Sequence, residues 1–431
     1  MSNFQRCLAL AFLSVFITAT CGAQQIQLAQ TNETGIYKTG EQVIFTANLE
    51  GVESDSIVVE VRKNYSFEVE KRRMANPGGQ FIVFSELFKQ PSAVIVKVSA
   101  GENYAELGAV INPEKFEPGT KRPEDFDRFW TKEKEELQAL PMKLKKEAVS
   151  TDENGYNCWD VEINSTVPKP ARGYFAKPEN AKEKSLPIVL YVHAAGVKGS
   201  WCLSRPEEAL RYAKMGNGAL AFDLNAHGML NGEPQEYYGA LEEGELKEYW
   251  KQGAESRDEY YFKGMYLRLM RTLDFLTNQP EWDGKRILVI GESQGGGQAL
   301  AAAGLDHRVS AVVATVPAMS NMVSHFGNAI AGWPNPMSFD ADSSLLVKTI
   351  PYFDTAHLLK GSTATIVTEI GLIDVTCPSY AIYAAINKAE GKKITYAVPY
   401  RGHHLSQHDY QGIWEENVYQ SKQRFIKDFL K

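Results

Sequence analysis

The sequence predicts a small β-sandwich followed by a larger α/β domain built on a mainly parallel sheet. Three observations carry this. The chain has 431 residues, more than one ordinary core holds. From about residue 24 to residue 111 it reads as short alternating strands broken by Gly, Asn, Asp and Pro. From Leu186 onward strands alternate with helical segments, the pattern of a parallel sheet covered on both faces. A hydrophobic content of 44% and a charged content of 23% are those of a soluble globular protein. The formal charge of -7, with no dense basic block, argues against nucleic acid as a partner.

Taken in order, residues 1–23 have the layout of a signal peptide: Arg6, an apolar run from Leu8 to Ala19, and small residues before a cleavage point after Ala23. The chain is therefore expected in the periplasm or outside the cell. Lipid attachment at Cys21 is disfavoured because Thr18 stands where an aliphatic residue is needed. No other segment reaches membrane-spanning length. Beyond this leader only Cys158, Cys202 and Cys377 remain, an odd and scattered set that allows at most one disulfide.

Residues 24–111 contain TGEQVIFTANLEG, DSIVVEVRKN, GGQFIVFSEL and PSAVIVKVSAG, the alternating runs of an immunoglobulin-like sandwich. It is read as a spacer or packing partner rather than a glycan-binding module, since no aromatic platform stands out. Residues 112–120, NPEKFEPGT, are a linker with two prolines. The domain from 121 to 431 opens with KRPEDFDRFW, a helix start with Phe126, Phe129 and Trp130 at helical spacing. Strands follow at PIVLYVHAAG, GALAFDLNAHG, RILVIGES, VSAVVATVP, ATIVTEIG and ITYAVPY. Between the second and third, DEYYFKGMYLRLMRTLDFLTNQP places Met265, Leu269, Leu273 and Leu276 on one helix face.

The chemistry centres on Gly291-Glu292-Ser293-Gln294-Gly295, a G-x-S-x-G pattern between a strand and a helix. Its glycines permit a turn sharp enough to raise a serine hydroxyl above the sheet. A phosphate loop would need Lys followed by Ser or Thr after the glycines, and neither follows. A serine of ordinary pKa is a weak nucleophile and needs a base, itself oriented by an acid. In α/β-hydrolases these come later in the chain, on loops after strands, where Asp374 and the pair His403 and His404 stand. Local spacing does not choose between the two histidines. Asp374 also reads as a helix N-cap, and His403, His404 and His408 with Asp409 as a metal cluster, although adjacent histidines seldom face one ion.

From about Arg122 to the C-terminus the chain resembles the acetyl xylan esterase and cephalosporin-C deacetylase family of α/β-hydrolases. KRPEDFDRFW is similar to the family's opening helix, DEYYFKGMYLRLMRTLDFL to the long helix before the nucleophile, and GESQGGGQALAAAGLDHRV to the elbow. GLIDVTCPS resembles the acid loop and assigns Asp374; VPYRGHH resembles the histidine loop and assigns His403. The resemblance implies ester hydrolysis through an acyl-enzyme, without metal or organic cofactor. The oxyanion would be held by the backbone N–H of Gln294 and, by resemblance, of Ala195.

The chain departs from the family in three places. Asn225-Ala226-His227 replaces Arg-Gly-Gln, His193-Ala194-Ala195 replaces His-Gly-Tyr, and His404 replaces a glutamate. The first two segments help to shape pocket walls and oligomer contacts. His193 and His227 read as structural hydrogen-bonding groups, or, for His227, as a substrate contact; Trp201 and Trp333 read as core or as sugar-stacking groups. The expected substrate is an acetylated, xylan-derived carbohydrate, and a homo-oligomer is compatible with the family. The rival readings are an esterase for bulkier acyl groups, a serine peptidase, and a non-catalytic glycan-binding scaffold.

Overall fold

The computed structural model describes residues 26–405 and 410–431. The expected signal peptide, residues 1–23, lies outside them. Eight strands come first: β1 (Gln27–Gln30), β2 (Ile36–Tyr37), β3 (Gln42–Asn48), β4 (Ser56–Lys63), β5 (Glu70–Ala75), β6 (Gln80–Leu87), β7 (Ser92–Ala100) and β8 (Asn103–Ile111). They form two sheets, β1-β3-β6 and β2-β8-β7-β4-β5, antiparallel except for the short β2–β8 pair. Strict alternation in QVIFTAN and SIVVEVRK puts Val43, Phe45, Ile57 and Val59 inside, where they pack with Val94 and Val96.

β7 breaks the alternation, because Ser92 to Val96 are all buried. Ala93 and Ile95 face the other way and, with Tyr65 and Val110, join the apolar core of the following domain. A strand buried on both faces reads as a continuous apolar run, as AVIV does here.

The second domain opens with the helix Phe126–Ala139, whose Phe126, Phe129 and Trp130 are buried as their spacing predicts. Three strands unread in the sequence follow: β9 (Leu144–Ala148), β10 (Tyr156–Ile163) and β11 (Ala171–Pro178). LKKEA in β9 is exposed along its whole length, so it carries no apolar period to find. Then come β12 (Leu186–Val192), β13 (Leu220–Asn225), β14 (Trp282–Glu292), β15 (Ala311–Thr315), β16 (Thr365–Gly371) and β17 (Lys393–Val398).

These nine form one sheet in the order β17-β16-β15-β14-β12-β13-β11-β10-β9. It is parallel from β17 to β13 and antiparallel beyond. The mainly parallel α/β-hydrolase sheet is thus present, with antiparallel strands at one edge. Its strands are covered on both sides. Ile188, Leu190 and Val192 of β12 face the main core, while Val189 packs with Ile426 and Leu430 from the C-terminal helix.

β12 sets the position of the site. It pairs with β13 on one side and β14 on the other, so the chain leaves it in one direction and returns on the opposite flank. The carboxyl ends of β12 and β14 consequently bound a crevice, the usual place for ligands in an open α/β sheet.

Candidate active site

β14 runs into Ser293, and the helix Gln294–Leu305 begins at the next residue. Ser293 has φ 53° and ψ -119°, a conformation that costs a non-glycine residue about 1–3 kcal/mol. Three backbone bonds hold it there. The Ser293 N–H donates to Thr315 C=O (2.9 Å), and the Ser293 C=O accepts from Gly297 (3.0 Å) and Ala318 (2.9 Å). The flanking glycines are needed for space. A side-chain carbon on Gly291 would stand 2.3 Å from the Gly295 carbonyl carbon, and one on Gly295 would stand 2.2 Å from Val192 O.

β16 ends at Gly371, and its loop carries Asp374, which is fully buried. One carboxylate oxygen accepts the N–H groups of Thr376 and Cys377, both at 2.8 Å. The other accepts from His403 Nδ1 at 2.9 Å, and His403 Nε2 lies 2.9 Å from Ser293 Oγ. With Nδ1 donating to the carboxylate, Nε2 is left as the acceptor for the serine O–H. The structure therefore brings Ser293, His403 and Asp374 into one hydrogen-bonded line, with Ser293 largely sheltered from solvent.

His404 stands outside that line, its ring edge-to-face with His403 at 5.3 Å. Asp374 does not cap the next helix, which starts after Pro378 without a side-chain cap. His408 and Asp409, invoked in the metal alternative, lie outside the described residues. Among the described residues one trio of metal-ligating side chains comes within 4.8 Å, Asp374, Cys377 and His403. Asp374 and His403 there already bond each other. Cys158, Cys202 and Cys377 are buried and unbridged.

Across the crevice, β12 continues into His193-Ala194-Ala195. Among the described residues no acceptor takes the N–H of Ala195 or of Gln294. Both segments are braced from behind. The Gln294 side chain accepts the Tyr249 hydroxyl, and the Ala195 C=O accepts the Trp201 indole N–H at 3.0 Å. Buried His193 pairs through Nε2 with Asp223, which also accepts the Arg205 N–H at 2.8 Å. Burial opposes the charged form of His193, but the Asp223 carboxylate lifts its pKa above the ordinary value.

His227 reads from the sequence as a structural hydrogen-bonding group or a substrate contact. It is buried, its Nε2 faces Gly196 C=O at 2.9 Å, and its Nδ1 faces the Tyr261 hydroxyl at 2.7 Å. Burial, helped by the Arg268 charge, pushes its pKa down to about 3, so it is neutral. With both nitrogens engaged it supports Gly196 beside the crevice. Trp201 is 64% exposed next to Ala195. Trp333 is partly buried against Phe262 and Trp250; its N–H donates to Thr376 in the acid loop, and its C=O accepts from Met319. Tyr249 and Trp250 escaped sequence reading because aromatics at helical or turn spacing look like ordinary core.

Beneath the histidine loop lies a buried ionic knot. Glu369 of β16 is bonded by Arg401, by Lys422 of the helix Gln420–Phe429 and by the Trp414 indole (2.6 Å). Burial alone would raise the Glu369 pKa, yet the charges of Lys422 and Arg401 hold it below the ordinary range. Arg401 also reaches Glu292, beside Ser293, at 3.3 Å. The knot thus joins β14, β16 and the segment that carries His403.

Comparison with known proteins adds the lineage. Residues 112–424 match the family model described as Acetyl xylan esterase (AXE1). Acetyl esterase Axe7A of Xylanibacter ruminicola is 28% identical over 381 residues, which cover 85% of this chain and 84% of that relative. An acetyl xylan esterase from Paenibacillus sp. R4 superposes with a TM-score of 0.58 at 25% identity, covering 74% of this chain and 98% of its own. Acetyl xylan esterase 1 from Thermoanaerobacterium sp. JW/SL YS485 has the same fold, with a TM-score of 0.56 at 20% identity over the same shares.

Proposed function

The chain belongs to the acetyl xylan esterase family and is a carboxylic ester hydrolase; from that premise we propose that it removes acetyl groups from xylan-derived sugars through a serine acyl-enzyme. The observation that carries the proposal is the line from Asp374 through His403 to Ser293, closed by two contacts of 2.9 Å.

In this mechanism the Ser293 Oγ–H bond gives its proton to His403 Nε2 as Oγ attacks the acetyl carbonyl carbon. The negative charge moves to the carbonyl oxygen, which the N–H groups of Gln294 and Ala195 hold. His403 then passes its proton to the sugar oxygen, the ester C–O bond breaks, and acetyl-Ser293 remains. Water repeats the sequence: it loses a proton to His403, attacks the acetyl carbon, and acetate leaves as Ser293 recovers its proton. Asp374 holds the imidazole in the required tautomer and stabilises its charged form.

The xylan assignment draws support from the substrate in the names of the matching family and neighbours. Exposed Trp201 beside Ala195 fits a sugar-stacking wall. The leader-like residues 1–23 support export of the enzyme. No helix of the described residues is long and apolar enough to cross a membrane.

Steady-state assay on acetylated xylo-oligosaccharides tests the reading. Ser293→Ala should fold normally and lose at least ~10³-fold in kcat/KM. Activity in that variant equal to the parent's refutes the triad. Faster turnover of butyryl than of acetyl p-nitrophenyl esters refutes the acetyl preference.

A further inference from the structure

The N-terminal sandwich touches the catalytic domain at the two loops that carry Asp374 and His403. Its key side chain is Tyr65, fully buried in the core of the other domain. The Tyr65 hydroxyl donates to Leu372 C=O (3.0 Å) and accepts the Ser379 N–H (3.1 Å), with Ser379 Oγ at 2.9 Å. A phenol has one donor and two acceptor sites, so this hydroxyl is saturated. All its partners are the two ends of the loop around Asp374.

The backbone of Tyr65 is committed too. Asn64 and Tyr65 have φ 50° and 56°, the centre of a tight turn closed by the Ser66 N–H on Lys63 C=O at 2.9 Å. A left-handed tyrosine is strained, and surrounding structure must hold it. Here the Asn64 N–H and side-chain oxygen bond Ala93 C=O and N–H at 2.7 and 2.9 Å. The Tyr65 C=O accepts from Ile330, on the segment leading to Trp333.

A second contact runs parallel to it. The Gly108 N–H of β8 donates to Pro399 C=O (2.8 Å), four residues before His403. A side-chain carbon on Gly108 would stand 2.3 Å from Leu372 O, so the strand lies flush against the acid loop. Leu372 in turn donates its N–H to Val398 C=O (3.0 Å), and Ile373 donates to Arg401 (3.2 Å).

We propose that Tyr65 is a positioning residue for the esterase reaction, fixing the acid loop so that Asp374 meets His403. This rests on the Ser293–His403–Asp374 reading above. The sandwich is then part of the frame of the active site rather than a spacer. Removing the hydroxyl leaves the Leu372 carbonyl and the Ser379 N–H without their partner, and the loop shifts to recover bonds.

Tyr65→Phe keeps the ring against Tyr380 and deletes only the hydroxyl. On p-nitrophenyl acetate, kcat should fall roughly 10- to 100-fold, the scale of a misplacement near 1 Å, with KM changed less than about twofold. The acidic limb of kcat/KM should move to lower pH, because a displaced Asp374 stabilises the imidazolium less. Tyr37→Phe is the control: its hydroxyl bonds Asn32, Thr31 and Gln30 within the sandwich, and kcat should stay within about twofold.

Parental kcat and acidic limb in folded Tyr65→Phe overturn the proposal, as does an equal loss in Tyr37→Phe. If Tyr65→Phe fails to fold, Ser379→Ala removes one partner and leaves the ring in place, with a loss of about threefold expected and none overturning the idea. Ser293→Ala in the same assay separates the two levels: activity there removes the triad, while a silent Tyr65→Phe beside an inactive Ser293→Ala removes only the role of Tyr65.

Discussion

Ser293, His403 and Asp374 meet because three different strand ends deliver them: backbone bonds hold Ser293, two backbone N–H groups hold the Asp374 carboxylate, and the His403 ring spans the gap between them. Behind them, buried histidines act through geometry. His227 holds Gly196 as a neutral ring, with its pKa pushed down to about 3 by burial and Arg268. This has a pH consequence whose sign is fixed. Below about 6.5 the unfolded chain binds a proton at this histidine and the folded protein does not. Stability present above that pH is therefore lost as pH falls from 6.5 towards 3. The loss from this residue should reach about 2 kcal/mol at pH 5. His227→Gln offers the same donor and acceptor without titrating. Urea denaturation at pH 7 and pH 5 should show a smaller drop in the variant, and an identical drop would remove His227 as the source.

At the scale of elements, the turn at Ser293 and the strand ends around it are tied together by the Glu369 knot. Glu369 has no exposure and depends on Lys422, Arg401 and Trp414 for compensation. Lys422→Met leaves the carboxylate with one cationic partner. Breaking a buried pair from one side costs about 3–5 kcal/mol, and the loss should appear as a lower urea midpoint. The double variant Glu369→Gln with Lys422→Met should recover part of it, since the buried carboxylate charge is gone and Arg401 keeps Glu292 at 3.3 Å. A double variant as unstable as the sum of its parts would show that the knot is not the reason. Such pairing was invisible in the sequence, where Glu369, Arg401 and Lys422 are three unremarkable charges on separate elements. The elbow itself was legible, because its glycines, its serine and the preceding apolar run are all local. β9 was not, since an exposed edge strand such as LKKEA has no apolar period.

For the whole molecule, the sandwich and the hydrolase domain share a buried core through Tyr65, Ala93, Ile95 and Val110. A shared core couples their unfolding, so calorimetry should record one cooperative transition, and two resolved transitions would contradict the coupling. Composition, strand-helix alternation, the G-x-S-x-G turn and the later Asp374 and His403 were enough for the sequence to specify the fold class and the residues to test, because each depends on local pattern and chain order. It left His403 and His404 level on spacing, left His227 between a structural group and a substrate contact, and took the sandwich for a spacer or packing partner. Only tertiary structure sets His403 between Asp374 and Ser293, both nitrogens of His227 on protein partners and Tyr65 in the core of the second domain: these depend on which side chains from distant segments share a few ångströms of space, and periodicity along a chain carries no record of that.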